Sequence, residues 1–217
     1  MRIRYEVNSA LGARSNQEDS WLALPNSGLF AVADGMGGYT GGEVASRLAV
    51  EAIRNWRGAA YEVTAFFEAH RSILASAPRG AGSTLTVACI SPTGHLRVGY
   101  VGDSRLYLVR KRAGRRVATQ LTTDHANGDG HLTNCLGVRP ACLQHVEGSR
   151  MGAVALRPDD VILLVTDGLT RYLQEPADIL GTVLTAGFGG YAGRLVQHAL
   201  RAGGADNVTV LAVCCSP

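Results

Sequence analysis

The sequence predicts an α+β fold of the α/β sandwich kind, with central antiparallel β-sheets flanked by pairs of α-helices. Two patterns predict it. Apolar residues alternate with polar ones at Ile3, Tyr5 and Val7, at Leu96, Val98 and Tyr100, and at Leu106 and Leu108, as in half-buried antiparallel strands. Strand signals also come in blocks instead of alternating one for one with helices, which argues against a parallel doubly wound sheet.

The elements follow in order. After the first strand, Arg14-Ser15-Asn16-Gln17-Glu18-Asp19-Ser20 is a polar turn leading to a second strand signal. The continuous apolar run 29–33 reads as a buried strand, with Asp34 at its mouth in the loop Asp34-Gly35-Met36-Gly37-Gly38. A helix should follow, because Thr40 and Glu43 have capping-box spacing and Val44, Ala45, Leu48, Ala49, Ala52, Ile53 and Trp56 share one face. A second amphipathic helix should carry Val63, Phe66, Phe67, His70, Ile73 and Leu74.

Further along, Arg110-Lys111-Arg112 with Arg115-Arg116 reads as a solvated hairpin tip, and no aromatic residues interleave with it as a nucleic-acid surface would want. The apolar run 161–165 passes through Thr166 into Asp167-Gly168. Tyr191, Leu195, Val196, Ala199 and Leu200 give a helix that stops at Gly203-Gly204, where glycine can take a left-handed capping conformation. Asp206-Asn207 then opens the last apolar strand, 208–214. No repeat, low-complexity tract or linker interrupts the chain, so residues 1–217 read as a single domain.

Composition narrows the class. At 46% hydrophobic and 18% charged residues, the 217-residue chain suits one globular core, and the net charge of +3 is spread along it. No apolar stretch reaches the roughly 18 residues that span a bilayer, and the N-terminus lacks the apolar core of a signal peptide. The expectation is a cytoplasmic monomer that uses neither membrane nor nucleic acid. Five cysteines (Cys89, Cys135, Cys142, Cys214, Cys215), odd in number and without Cys-x-x-Cys spacing, argue against a disulfide framework and a structural zinc site.

The chemistry rests on Asp34, Asp167 and Asp206. Each abuts a strong strand signal, so the three can converge. Oxygen-only ligands select hard cations, Mg2+ or Mn2+, and two such ions about 3.5–4 Å apart activate water for attack on phosphorus. Asp34 is the natural bridge between them, with the Gly35 carbonyl as a further ligand, and Asp167 and Asp206 would complete one ion's shell. Asp19 could reach the second ion through water. Arg14 offers a planar guanidinium for the substrate phosphate.

Nucleotide-binding alternatives fail on the glycine loop. It has Gly42-Glu43 where a P-loop wants Gly-Lys-Ser/Thr, and Thr40 stands where the dinucleotide fingerprint wants glycine.

Together these residues resemble the metal-dependent serine/threonine protein phosphatases of type 2C, in their bacterial form. The resemblance runs in order through Arg14 to Ser20, the Asp34 loop, Gly42-Glu43-x-Ala45-Ser46, Gly82-Ser83-Thr84-Leu85, Val101-Gly102-Asp103-Ser104-Arg105, Leu121-Thr122-x-Asp124-His125, Thr166-Asp167-Gly168-Leu169 and Asp206-Asn207-Val208-Thr209. It implies a four-layer fold of two antiparallel sheets between helix pairs, with a metal cleft at one end. It assigns Asp34, Gly35, Asp167 and Asp206 to two core metals, Asp19 to a water-mediated contact and Arg14 to the phosphate. It also suggests a weak third metal site at Asp103 and Asp167.

Two departures stand out. Bacterial relatives carry a helical flap after the segment matching Asp124-His125, whereas here only residues 126–131 intervene before Leu132, so a more open cleft is expected. Met36 and Tyr39 also stand where a histidine acid is found in some relatives. A metal-bound water or His131 would then protonate the leaving group. His125 reads as structural, His70 as part of a helix face and His198 as a helix exterior.

The expected activity is hydrolysis of phosphoserine and phosphothreonine in protein targets of a serine/threonine kinase, by water bridging two metal ions. The alternatives are a hydrolase of small phosphate esters and an inactive phosphoprotein-binding module. Retention of Arg14, Asp19, Asp34, Asp167 and Asp206 together favours the enzyme.

Overall fold

A computed structural model describes residues 2–37, 41–56, 63–138, 147–148, 153–183 and 188–216. In chain order its strands are β1 (Arg2–Ala10), β2 (Asp19–Leu24), β3 (Leu29–Met36), β4 (Gly82–Ser83), β5 (Leu85–Ile90), β6 (His95–Val101), β7 (Arg105–Arg112), β8 (Arg115–Gln120), β9 (Glu147–Gly148), β10 (Val154–Ala155), β11 (Val161–Val165) and β12 (Val208–Ser216). The helices are α1 (Gly41–Asn55), α2 (Val63–Ser76), α3 (Asp167–Thr170), α4 (Pro176–Val183) and α5 (Tyr191–Arg201).

The strands form two sheets, one ordered β1-β12-β11-β7-β8 and the other β10-β6-β5-β3-β2, with β4 beside β3 and β9 beside β6. All the strand pairs are antiparallel. Three separate apolar layers show that this is a four-layer sandwich. Val161, Leu163 and Val165 pack with α3, α4 and α5, whereas Ile162 and Leu164 pack against the other sheet. Ala31 and Ala33 pack against α1 and α2, while Phe30 and Val32 point between the sheets. A strand covered on both faces has no use for alternation, which is why its sequence reads as a continuous apolar run.

Several local expectations change. Asp34 lies within β3, not beyond its mouth, because Gly35 and Met36 continue the ladder against Ser83 and Gly82. In α1 the buried stripe takes in Ser46 and Val50 beside Ala45, Ala49 and Ile53. Thr40, Tyr39 and Cys142 lie outside the described residues. Phe67 and Leu74 of α2 point outward, 43% and 37% exposed, while Phe66, His70 and Ile73 are buried.

The basic hairpin is half right. Residues 113–114 do form its turn, with positive φ at Ala113 and Gly114. Arg110, however, is no solvated tip. Its Nη2 lies 2.6 Å from Oδ2 of Asp160, and their side chains are only 12% and 2% exposed. Among the described residues no helix is long and apolar enough to cross a membrane.

Candidate active site

One end of the sandwich carries the acids because strands of both sheets end there. Asp19 opens β2 directly opposite Asp34 of β3 in the antiparallel register. From the other sheet, Thr166 follows β11 directly and Asp167 begins α3, while Asp206 and Asn207 precede β12. The sheets are tied at this point. Thr166 Oγ1 donates to Asp19 Oδ2 at 2.9 Å and accepts the backbone N–H of Thr209 at 2.9 Å.

Backbone contacts hold the glycine loop. Thr84 Oγ1 accepts the Asp34 N–H at 2.9 Å, and the Gly35 N–H donates to the Glu18 carbonyl at 3.0 Å. A Cβ on Gly35 would collide with the Gly42 carbonyl and approach that of Glu18 to 2.8 Å, so only glycine lets β3, α1 and the 18–19 strand entry meet.

The loop bearing Arg14 is pinned by Asn207. Its Oδ1 accepts the Glu18 N–H at 2.8 Å, and its Nδ2 donates to the carbonyls of Leu11 and Asn16 at 2.8 and 3.0 Å. Arg14 Nη2 then reaches Asp206 Oδ2 at 2.7 Å.

These groups line a cleft of about 550 Å³ that includes Arg14, Asp34, Gly35, Asp103, Asp167 and Asp206. A larger groove of about 1230 Å³ lies between α4 and α5, but Asp178 is the one carboxylate among its lining residues. The acid chemistry belongs to the smaller cleft. Gly130, His131 and Leu132 form part of its wall, which places the shortened loop at the site. Asn127 folds that loop tightly, its Oδ1 accepting the N–H groups of Asp129 and His131.

The electrostatics are those of crowded anions. Burial, opposed by hydrogen bonds from Thr209 and Thr166, pushes Asp19 up to about 7, with Asp167 and Asp206 adding to the rise. Asp34 is raised well above the usual carboxylate range by burial and then by the charges of Asp19 and Asp167. Asp103 is pushed to about 6 by burial and by Asp167. Such a cluster calls for positive charge.

Among the described residues, two buried oxygens, Asp19 Oδ1 and Asp167 Oδ1, have no hydrogen-bond partner, as expected of oxygens directed at a cation. Among the described residues no three acidic, histidine or cysteine side chains stand close enough to enclose an ion as they are. An arginine lies between two of the acids. Arg171 Nη2 sits between Asp167 Oδ2 at 3.0 Å and Asp206 Oδ2 at 3.2 Å.

The structure thus brings Arg14, Asp34, Gly35, Asp103, Asp167 and Asp206 into one cleft, with Asp19 buried behind it. Sequence reasoning missed Arg171 and Glu18. The only signal for Arg171 was its i,i+4 spacing from Asp167. His125 is structural as expected, its Nδ1 accepting the Gly102 N–H at 3.1 Å and its ring stacked on Tyr100. His70 is likewise internal, accepting the Gly137 N–H at 3.0 Å.

A four-layer sandwich with a carboxylate cleft at the sheet ends defines the architecture of the metal-dependent protein phosphatases. The family profile of protein phosphatase 2C matches residues 8–188, and the chain belongs to that family. It is 32% identical over 96% of its length to the serine/threonine protein phosphatase PstP of Mycobacterium tuberculosis, and spans 44% of that relative's length. It is 30% identical to the serine/threonine phosphatase stp of Listeria monocytogenes, covering 98% of this chain and 91% of that one. The crystal structure of the PstP catalytic domain in complex with two manganese ions superposes with a TM-score of 0.77 at 29% identity, covering 99% of both chains. Asp206 lies beyond the family match, so its place at the site rests on the geometry above.

Proposed function

We propose that this chain is a Mn2+- or Mg2+-dependent phosphoprotein phosphatase that hydrolyses phosphoserine and phosphothreonine. The carrying observation is the pair of unpartnered buried oxygens on Asp19 and Asp167, in a crowd of raised carboxylates beside a cleft guanidinium. The residues fit two hard cations. Asp34, Gly35, Asp167 and Asp206 would hold them, with Asp19 contributing through water and Asp103 joining Asp167 at a weaker third site. When bound, such ions supply an activated water for in-line attack on phosphorus.

The protein's own residues do the rest. Arg14 holds phosphate oxygens in bidentate fashion, which fixes the phosphorus for in-line displacement. Thr166 orients Asp19, and Asn207 holds the Arg14 loop. His131, on the cleft wall, is placed to hand a proton to the departing serine or threonine oxygen.

Residues 1–217 act as one catalytic domain, and the substrates are proteins phosphorylated by a serine/threonine kinase. The manganese complex of the PstP domain supports the choice of cation. The four described cysteines are free thiols, which suits a monomer working in the reducing cytoplasm. The short loop at the cleft favours a second reading, hydrolysis of small phosphate esters.

Turnover of p-nitrophenyl phosphate and of a phosphothreonine peptide, with Mn2+, Mg2+ or EDTA, tests the proposal with Asp206→Asn alongside. Metal-dependent turnover that is lost in the variant and favours the peptide is expected. Preference for small esters would replace the substrate assignment, and no turnover from folded, metal-loaded protein would overturn the activity.

A further inference from the structure

Arg171 follows α3 one helical turn after Asp167, and its guanidinium reaches into the cleft. Its Nη2 and that of Arg14 approach the same oxygen, Asp206 Oδ2, at 3.2 and 2.7 Å. Two guanidinium groups from distant parts of the chain therefore converge on one anionic oxygen. Stability does not explain the arrangement. Both side chains are half exposed, at 51% and 52%, where ion pairs contribute little, and each cation repels the other.

A carboxylate oxygen and a phosphate oxygen present the same acceptor to a guanidinium. A divalent ion held by Asp167 and Asp206 would compete with Arg171 for the charge of these two carboxylates, so metal and arginine are alternative partners of these acids. Once the acids turn to the ion, the two guanidinium groups remain directed at one point in the cleft. We propose that Arg171 is a second substrate-phosphate ligand, paired with Arg14 and released for that role when cations occupy Asp167 and Asp206. The proposal rests on the phosphatase reading for its substrate.

Calorimetry separates this from a supporting role. Mg2+ is titrated into wild type, Arg171→Ala and Arg171→Lys, and inorganic phosphate is then titrated into each Mg2+-saturated protein. Arg171→Ala should weaken phosphate binding about tenfold, the size of one charged hydrogen bond, with Mg2+ affinity equal or higher and part of the loss restored in Arg171→Lys. Unchanged phosphate affinity overturns the proposal, and so does a parallel loss of Mg2+ affinity, which would make Arg171 a support for the metal ligands. Wild type that binds Mg2+ and phosphate without hydrolysing any phosphoester would sink the phosphatase reading and leave the phosphate clamp standing.

Discussion

The Thr166 hydroxyl donates to Oδ2 of Asp19 at 2.9 Å, and this bond joins the two sheets at the cleft. It leaves Asp19 Oδ1 buried and without a hydrogen-bond partner among the described residues. Thr166→Val keeps the shape and removes the donor. Metal affinity should fall about 10–100-fold, as is usual when a group orienting a ligand is lost. Mn2+ titration of the folded variant checks it, and unchanged affinity would count against Asp19 acting on the metal.

Burial of the acids, reinforced by their mutual repulsion, sets the pH dependence of the protein stripped by EDTA. Asp19 is held at about 7 and Asp103 at about 6, against ordinary carboxylates near 4. Between these values the folded chain binds more protons than the unfolded one. The stability these groups contribute is therefore complete below about pH 4 and is lost as pH rises through 6 to 7. Melting of the stripped protein should fall by several degrees from pH 5 to pH 8, since 1 kcal/mol moves a chain this size by ~2–4 °C. Saturating Mn2+ should abolish or reverse that slope, because metal binding favours the deprotonated acids. An unchanged slope would disprove the link.

Arg14 pairs with Asp206 at 52% exposure, so removing it should cost little stability. Its value lies with substrate. Arg14→Ala should lower kcat/KM about 10–100-fold with melting nearly unchanged, and Arg14→Lys should recover only part, since an ammonium cannot form the bidentate contact. Steady-state kinetics beside a melting curve read both. Equal kcat/KM in Arg14→Ala would remove this residue from the site.

Arg110 tests the opposite case. Its partner Asp160 is 2% exposed and also accepts the Arg157 N–H at 2.7 Å. Arg110→Ala strands a buried carboxylate and should cost about 3–5 kcal/mol. Urea unfolding measures it, and a loss below about 1 kcal/mol, the exposed-pair range, would show the pair to be solvated.

How much was legible in the sequence depended on where each partner lies. Asp34, Asp167 and Asp206 could be read because each abuts an apolar run whose burial fixes the direction of the chain. Arg110 was misread because charges clustered in sequence look the same whether water or Asp160, 50 residues away, receives them. Arg171 was hidden for a different reason. The helix before it has only four residues, too few for a periodic face, and its meaning appears only once Asp206 is brought alongside. In α1 and α2, periodicity located the helices but not every inward residue, because a stripe flanked by a second helix is wider than a single ridge.

The tight turn that Asn127 organises is closed by an antiparallel bridge between Ala126 and Leu132. A segment whose two ends already lie side by side is a natural docking port for new sequence. Doubling the length of such a loop costs only about 0.6 kcal/mol in closure entropy. Lids of different length can therefore be exchanged at this one seam, changing what the cleft admits without disturbing the sheets that hold its acids.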